Sequence, residues 1–184
     1  MIAWSLLQRS DVRPIEVDRE EIAVVVGDLQ RTDGQALFGF VRRLGLTDDQ
    51  ADDVVQEVLA RLLAELGRGI LVVNPRSWAF QSVYRLAMDQ HRLRRRVAGL
   101  VDRMGSMSPR SMSADDRIVV WGEVDRLPVR QRQVLYLRYR ADLTHDAIGQ
   151  VLGISSSASR SHATQAIATL RARLAIDIVE IEDR

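Results

Sequence analysis

"LTHDAIGQVLGISSSASRSHATQAIATLRARL", residues 143–174, is the stretch whose reading decides the fold. Thr144 stands where a helix N-cap is needed, Gly153 can supply a turn, and Ser155 can cap a final long helix that runs to about Leu174. Ala147, Ile148, Val151, Leu152 and Ile154 are spaced to meet Ala166, Ile167, Leu170 and Leu174, which closes a small helical core. Ser156, Ser157, Arg160, Ser161, Thr164 and Gln165 then fall on the free side of the last helix, with side chains able to reach phosphates and base edges in a major groove. Helix, turn and helix in this order are a DNA-reading pattern, although a plain helical hairpin shows the same spacing.

Working back toward the N-terminus, Pro128 suits the first turn of a helix that extends to Arg140, and Ser113 sits three residues before Asp116 as in a capping box. Before that, "VAGLVDRMGSMSPRSMSADD" mixes Gly, Pro, Ser and Met without a period and separates two well-patterned halves. From Gln35 to about Arg96 apolar residues again recur at helical spacing, broken near Gly45 and between Gly67 and Pro75, which predicts three helices. The expected organisation is all-α, two small helical domains joined by a flexible linker: an N-terminal extension at 1–30, a first domain at 31–96, a linker at 97–113, a second domain at 114–174 and a tail at 175–184. Within the extension, "VDREEIAVVVGDL" reads as one short helix. No alternating strand pattern and no fixed-period repeat interrupts this reading.

Two helices of the first domain carry opposite charge. In "TDDQADDVVQEVLARLLAEL" a Thr47 cap opens a helix whose face of Ala51, Val55, Val58, Leu59, Leu62 and Leu66 belongs in a core. Asp49, Asp52, Asp53, Gln56 and Glu57 gather on the other side. Such a row is either a solvated face, with acids favouring a helix N-terminus, or a docking surface for a basic protein. In "NPRSWAFQSVYRLAMDQHRLRRR" the buried face is Phe80, Val83, Tyr84 and Ala87, while Trp78, Gln81, Arg85, Arg92 and Arg96 line another. Five arginines lie between Arg85 and Arg96, Arg94 and Arg95 among them, and would repel one another on an isolated helix. An anionic partner such as DNA phosphates explains why they are tolerated. Trp78 either joins the core or offers a face on which an exposed base stacks.

Composition narrows the classes further. The 184 residues carry a formal net charge of only +1, so nucleic-acid binding would rest on where the arginines lie and not on their total. All 26 basic side chains are arginine, a usage that fits a GC-rich coding sequence as well as phosphate recognition. With no cysteine, disulfide frameworks and thiolate metal sites are excluded, and a reducing compartment is natural. The opening "MIAWSLLQRSDVRP" holds too short an apolar run for a signal peptide, and no stretch approaches the ~18 apolar residues of a membrane span. A cytoplasmic protein without a membrane partner is expected. His91, His145 and His162 lack metal-ligand spacing and read as surface or phosphate-facing groups. No metal, cofactor or catalytic constellation is expected, because there is no phosphate-cradling glycine loop and no nucleophile elbow.

Taken in order, "ADDVVQEVLARL", "WAFQSVYRLAMDQHRLRRR" and "LPVRQRQVLYLRYRADLTHDAIGQVLGISSSASRSHATQAIATLRARL" resemble the small extracytoplasmic-function sigma factors of the sigma-70 family, over residues 35–174. The order of the three is more specific than any one. The resemblance implies that the first domain is similar to sigma region 2 and the second to region 4. It further implies a non-catalytic subunit whose partners are core RNA polymerase, through the clamp helices of its largest subunit and its flap region, and promoter DNA. Sigma factors of this size are often held by an anti-sigma factor, so that partner too belongs to what is implied.

By the same resemblance Asp49, Asp52, Asp53, Gln56 and Glu57 would meet the clamp helices. Loop 67–77 and the helix after it would capture an unstacked base of the minus-10 element. The final helix would read the minus-35 element, and the linker would thread toward the active-site channel of the polymerase. Several positions depart from the family pattern. Arg85 stands where Asn is usual, Ser82 and Val83 replace a common Ile-Ala pair, and Ser157, Ala158, Ser159 and Arg160 replace Gly-Thr-Val followed by Lys or Arg. His162 and Gln165 occupy positions that are usually basic. Fewer cations there imply fewer phosphate contacts and a larger share for the first domain. Two other readings stand beside this one: a stand-alone operator-binding regulator, for which no sustained heptad supplies a dimer surface, and a protein that titrates polymerase without reading DNA, which the arginine row argues against.

Overall fold

The computed structural model describes residues 18–101 and 119–174, and the secondary structure found there is helical throughout. Seven helices follow in chain order: α1 (Arg19–Arg43), α2 (Asp48–Gly67), α3 (Pro75–Val101), α4 (Val119–Asp125), α5 (Val129–Tyr139), α6 (His145–Leu152) and α7 (Ser156–Leu174). The first three make one bundle and the last four a second, as the helical periodicity predicts.

Local chemistry sets the boundaries. Asp18 caps α1 by accepting from the Glu20 amide at 3.0 Å, acids occupy the first turn, and Arg42 and Arg43 the last, in accord with the helix dipole. Thr47 and Gln50 form a reciprocal capping box on α2, and the Asn74 side chain accepts from the Ser77 amide at 2.9 Å at the start of α3, with Pro75 just behind it. Thr144 caps α6, the left-handed Gly153 at φ 67° ends it, and the Ser155 hydroxyl accepts from the Ala158 amide at 3.1 Å to start α7.

Some boundaries differ from the expected ones. α1 is a single helix of 25 residues that passes straight through position 30, because Ile22 and Leu29 already face the core that Leu37, Phe40 and Val41 complete. The segment expected as a separate short helix is therefore its first half. α3 continues past Arg96 to Val101, five residues into the expected linker. α5 ends at Tyr139, with Arg140 as its C-cap. The Ser113 cap, the bulk of the linker and the tail lie outside the described residues.

The core runs through both bundles. Leu37, Phe40, Val58, Leu62, Phe80 and Val83 fill the first, and Val134, Leu137, Ile148, Val151, Ala166 and Leu170 the second. Burial at roughly 25 cal/mol per Å² of apolar surface makes these clusters the main favourable contribution to each domain. They meet where Tyr136 of α5 stacks on Phe40 of α1, with ring centroids 5.8 Å apart at 18°. Helix α6 packs against α3, and α5 against α1, so the second domain rests on the first.

Candidate nucleic-acid and protein interfaces

On α2 the expected buried face is seen, with Leu66 only partly covered and Val54 added to it. Asp49, Asp52, Asp53, Gln56 and Glu57 are all exposed, and Glu57 pairs only along its own helix, with Arg61 at 2.6 Å. This acidic row is open along its length. Among the described residues α2 packs chiefly against α1 and α3.

The arginine row on α3 is less uniform. Arg85, Arg95 and Arg96 are exposed and, among the described residues, have no hydrogen-bond or ion-pair partner. Arg92 pairs with Asp89 at 3.0 Å, while Arg94 reaches back to the Gln50 side chain in the α2 capping box. Gln81 is half-covered and donates to the Gln150 carbonyl of α6 at 3.0 Å. Trp78 is half-buried and packs against the core, with the rest of its surface accessible. A cleft of about 500 Å³ lies along this helix, with Tyr84, Arg85, His91, Arg92 and Arg95 on one wall and Arg130 of α5 on the other.

Beside Trp78, loop 68–74 presents apolar side chains to solvent, Leu71 at 83% and Val73 at 86% exposure. The start of α3 is tied to α1 by Asp33, a buried carboxylate that pairs with Arg76 at 2.8 Å and accepts from the Thr32 hydroxyl at 3.2 Å. Sequence reading passed over Asp33 and Arg76. A lone acid at a core-facing position of α1, at the spacing of Leu29 and Leu37, was the available signal.

On α7, Ser157, Arg160, Ser161, Thr164 and Gln165 are exposed along one side, while Ala163, Ala166 and Leu170 face inward. Ser156 departs from that row. It is half-covered with a buried hydroxyl, because the turn at Ser155 and Ser156 lies against Gly149 of α6. Neither His91 nor His145 is a free surface group. His91 donates through Nε2 to the Leu44 carbonyl at 2.6 Å and ties α3 to the α1–α2 turn. His145 Nδ1 bonds the fully buried Ser159 hydroxyl at 2.8 Å and clamps the two helices of the reading motif. Desolvation lowers the His145 pKa below its ordinary 6.5; Arg138 and Arg160 push in the same direction and Asp146 partly opposes them.

Among the described residues no His, Asp or Glu cluster could hold a metal ion, and no helix is long and apolar enough to cross a membrane. What the three rows offer is recognition: an open anionic face, a cationic helix flanked by apolar and aromatic groups, and a polar helix face behind a tight turn.

Comparison with known proteins gives these rows a family. The family model for sigma-70 region 2 matches residues 29–97, and that for sigma-70 region 4 matches residues 124–172. The ECF RNA polymerase sigma factor EcfG of Rhodopseudomonas palustris (strain TIE-1) is 27% identical over 149 residues, which covers 79% of this chain and 82% of that protein. Two solved structures share the fold. One is CnrH in complex with the cytosolic domain of CnrY, at TM-score 0.53 and 24% identity, covering 88% of this chain and 99% of that one. The other is the sigma factor RpoE in complex with the anti-sigma factor NepR from Bartonella quintana, at TM-score 0.61 and 20% identity, covering 86% and 97%. The chain thus belongs to the sigma-70 family, as an extracytoplasmic-function sigma factor that directs promoter recognition for transcription initiation.

Proposed function

We propose a division of labour among the three rows. Asp49, Asp52, Asp53, Gln56 and Glu57 of α2 dock on the basic clamp helices of the largest polymerase subunit. Loop 68–74, Trp78 and Gln81 receive an unstacked base of the minus-10 element, and Arg85, Arg92, Arg95 and Arg96 follow its phosphates. Arg94, held at Gln50, steadies the α2–α3 pair and contributes its charge from there. Ser157, Arg160, Ser161, Thr164 and Gln165 of α7 read the minus-35 duplex, and the second domain also meets the flap region.

The observation that carries this reading is the exposure of oppositely charged rows on adjacent helices of one bundle. Five arginines concentrated on the end of one helix destabilise it by mutual repulsion until an anion lies along them, and a B-form or single strand supplies phosphates at the needed density. Apolar Leu71 and Val73 at the head of that row favour a base that has left its stack, which helps start strand opening. The chain itself performs no chemistry and acts in the cytoplasm, where polymerase and promoter are found. The complex of RpoE with the anti-sigma factor NepR among its structural neighbours supports a protein regulator of that class.

Run-off transcription with core polymerase over a randomised promoter library tests the proposal. Transcripts should depend on the chain and start downstream of a two-part motif. Chain-dependent transcripts that share only one element, or none, would contradict the assignment of two DNA-reading domains.

A further inference from the structure

The exposed reading residues of α7 and its large packed side chains lie in different halves of the helix. Ser157, Arg160, Ser161 and Thr164 fall in the first half, whereas Ile167, Leu170 and Leu174 fall in the second. Over the first two turns the buried residues are only Ser159 and Ala163. Small side chains let two helices come close, but they supply few of the dispersion contacts that resist a slide or a turn about the axis.

Two contacts hold that half in place. At the turn, the Ile154 amide donates to the Gly149 carbonyl at 3.0 Å, and a Cβ on Gly149 would lie 2.7 Å from the Ile154 carbonyl oxygen, so the chain entering α7 is seated directly on α6. About one turn further along, the fully buried Ser159 hydroxyl meets His145 Nδ1, from the first residue of α6, at 2.8 Å. The first contact locates the start of α7, and the second, off its axis, fixes the rotation about that axis. Burial, with the cations Arg138 of α5 and Arg160 of α7 beside it, keeps the ring neutral at neutral pH against partial opposition from Asp146.

A buried hydrogen bond of this kind adds little net stability, since an apolar pair of the same shape is nearly as favourable. What it adds is direction: a hydrogen bond weakens steeply away from its preferred angle and length, whereas apolar contacts tolerate a slide. Ser159 is the chain neighbour of Arg160, the one cation among the five exposed reading residues. A small rotation at the buried hydroxyl becomes a larger displacement at the tip of the long Arg160 side chain, which stands further from the axis.

From this arrangement we infer that His145 and Ser159 are positioning residues for minus-35 reading: their hydrogen bond sets the rotation of α7, and with it which base edge Arg160 reaches. The inference rests on the assignment of α7 to the minus-35 duplex. Breaking the bond should blur the choice between minus-35 sequences, while folding and the choice at the minus-10 element stay as they are.

Holoenzyme formed with the full chain is offered two promoters in one tube, identical except for one substituted base pair in the minus-35 motif recovered from the promoter library, and told apart by run-off length. A second pair of templates differs only in the minus-10 motif. One substituted pair typically lowers binding roughly 5- to 150-fold, and Ser159→Ala should cut the wild-type minus-35 preference by about threefold or more while the minus-10 preference stays within about twofold. His145 is only partly covered, so His145→Ala breaks the same bond without opening the core and should have the same effect. His145→Asn places an amide where Nδ1 lies, able to donate or accept, and should keep most of the wild-type preference.

An unchanged minus-35 preference in both alanine variants would overturn the inference. So would an equal loss at minus-10, which marks a merely structural role, or a His145→Asn chain as indifferent as His145→Ala. A wild-type holoenzyme that ignores every minus-35 substitution would instead remove the reading assignment of α7, and the positioning role with it.

Discussion

Helices α2 and α3 are neighbours in one bundle, yet they meet the rest of the molecule differently. Among the described residues the acidic row of α2 lies exposed, whereas the α3 row is tied to the second domain at Gln81 and is exposed from Arg85 onward, with Arg92 and Arg94 paired inside the first domain. Charge alone does not distinguish the two rows in this way; the seam through Phe40, Tyr136 and Asp125 does.

The largest expected effect is on the open row. Asp53→Arg with Glu57→Arg replaces two exposed acids by bases, and should abolish co-purification with core polymerase while the helical circular dichroism signal stays unchanged. Core binding retained at wild-type strength would remove α2 as the docking face. On the α3 row, replacing Arg92, Arg95 and Arg96 by Ala should flatten the dependence of log affinity on log salt for a single-stranded minus-10 oligonucleotide. Three lost phosphate contacts at about 0.7 each reduce the slope by roughly 2. An unaltered slope would take those residues off the contact surface.

A smaller effect is expected from Arg160→Ala in the second domain. It should weaken minus-35 duplex binding by about 1 to 3 kcal/mol, roughly 5- to 150-fold, with little change on the minus-10 strand. Equal losses on both would merge two surfaces that the fold keeps apart. The smallest is a pH effect inside the reading motif. Because the folded His145 pKa lies below 6.5, the unfolded chain binds more protons between those two values. The neutral ring's contribution is fully present above pH 6.5 and is lost as pH falls through the lowered folded value. Thermal melts from pH 7.5 to 5.5 should thus show a loss of stability that His145→Asn reduces, and identical pH profiles would assign the loss to other groups.

Much of this architecture could be read from the residues. Thr47, Thr144, Gly153 and Ser155 are local signals, and the caps and turn they predict are present because each acts within a few residues of itself. The exposed acidic row and the exposed face of α7 follow from helical period in the same way. The docking of the two domains was not legible. Gly39 reads as a weak spot in a helix and Tyr136 as one more core aromatic, and only their meeting across 97 positions of sequence gives either a purpose. The histidines were misjudged for a related reason. His91 and His145 find their partners, Leu44 and Ser159, on other helices, where periodicity has nothing to say. The extent of α1 was missed because its exposed Val24 and Val25 blur the apolar stripe that Ile22 and Leu29 begin.

Site-specific photo-crosslinking in the assembled initiation complex addresses the separation of roles most directly. A single cysteine placed at Asp52, Arg85 or Ser157 of a chain that has none of its own carries the reagent to one row at a time. Asp52 should capture the largest polymerase subunit, Arg85 the minus-10 strand and Ser157 the minus-35 duplex. Capture of DNA from Asp52, or of polymerase alone from Arg85, would contradict the account.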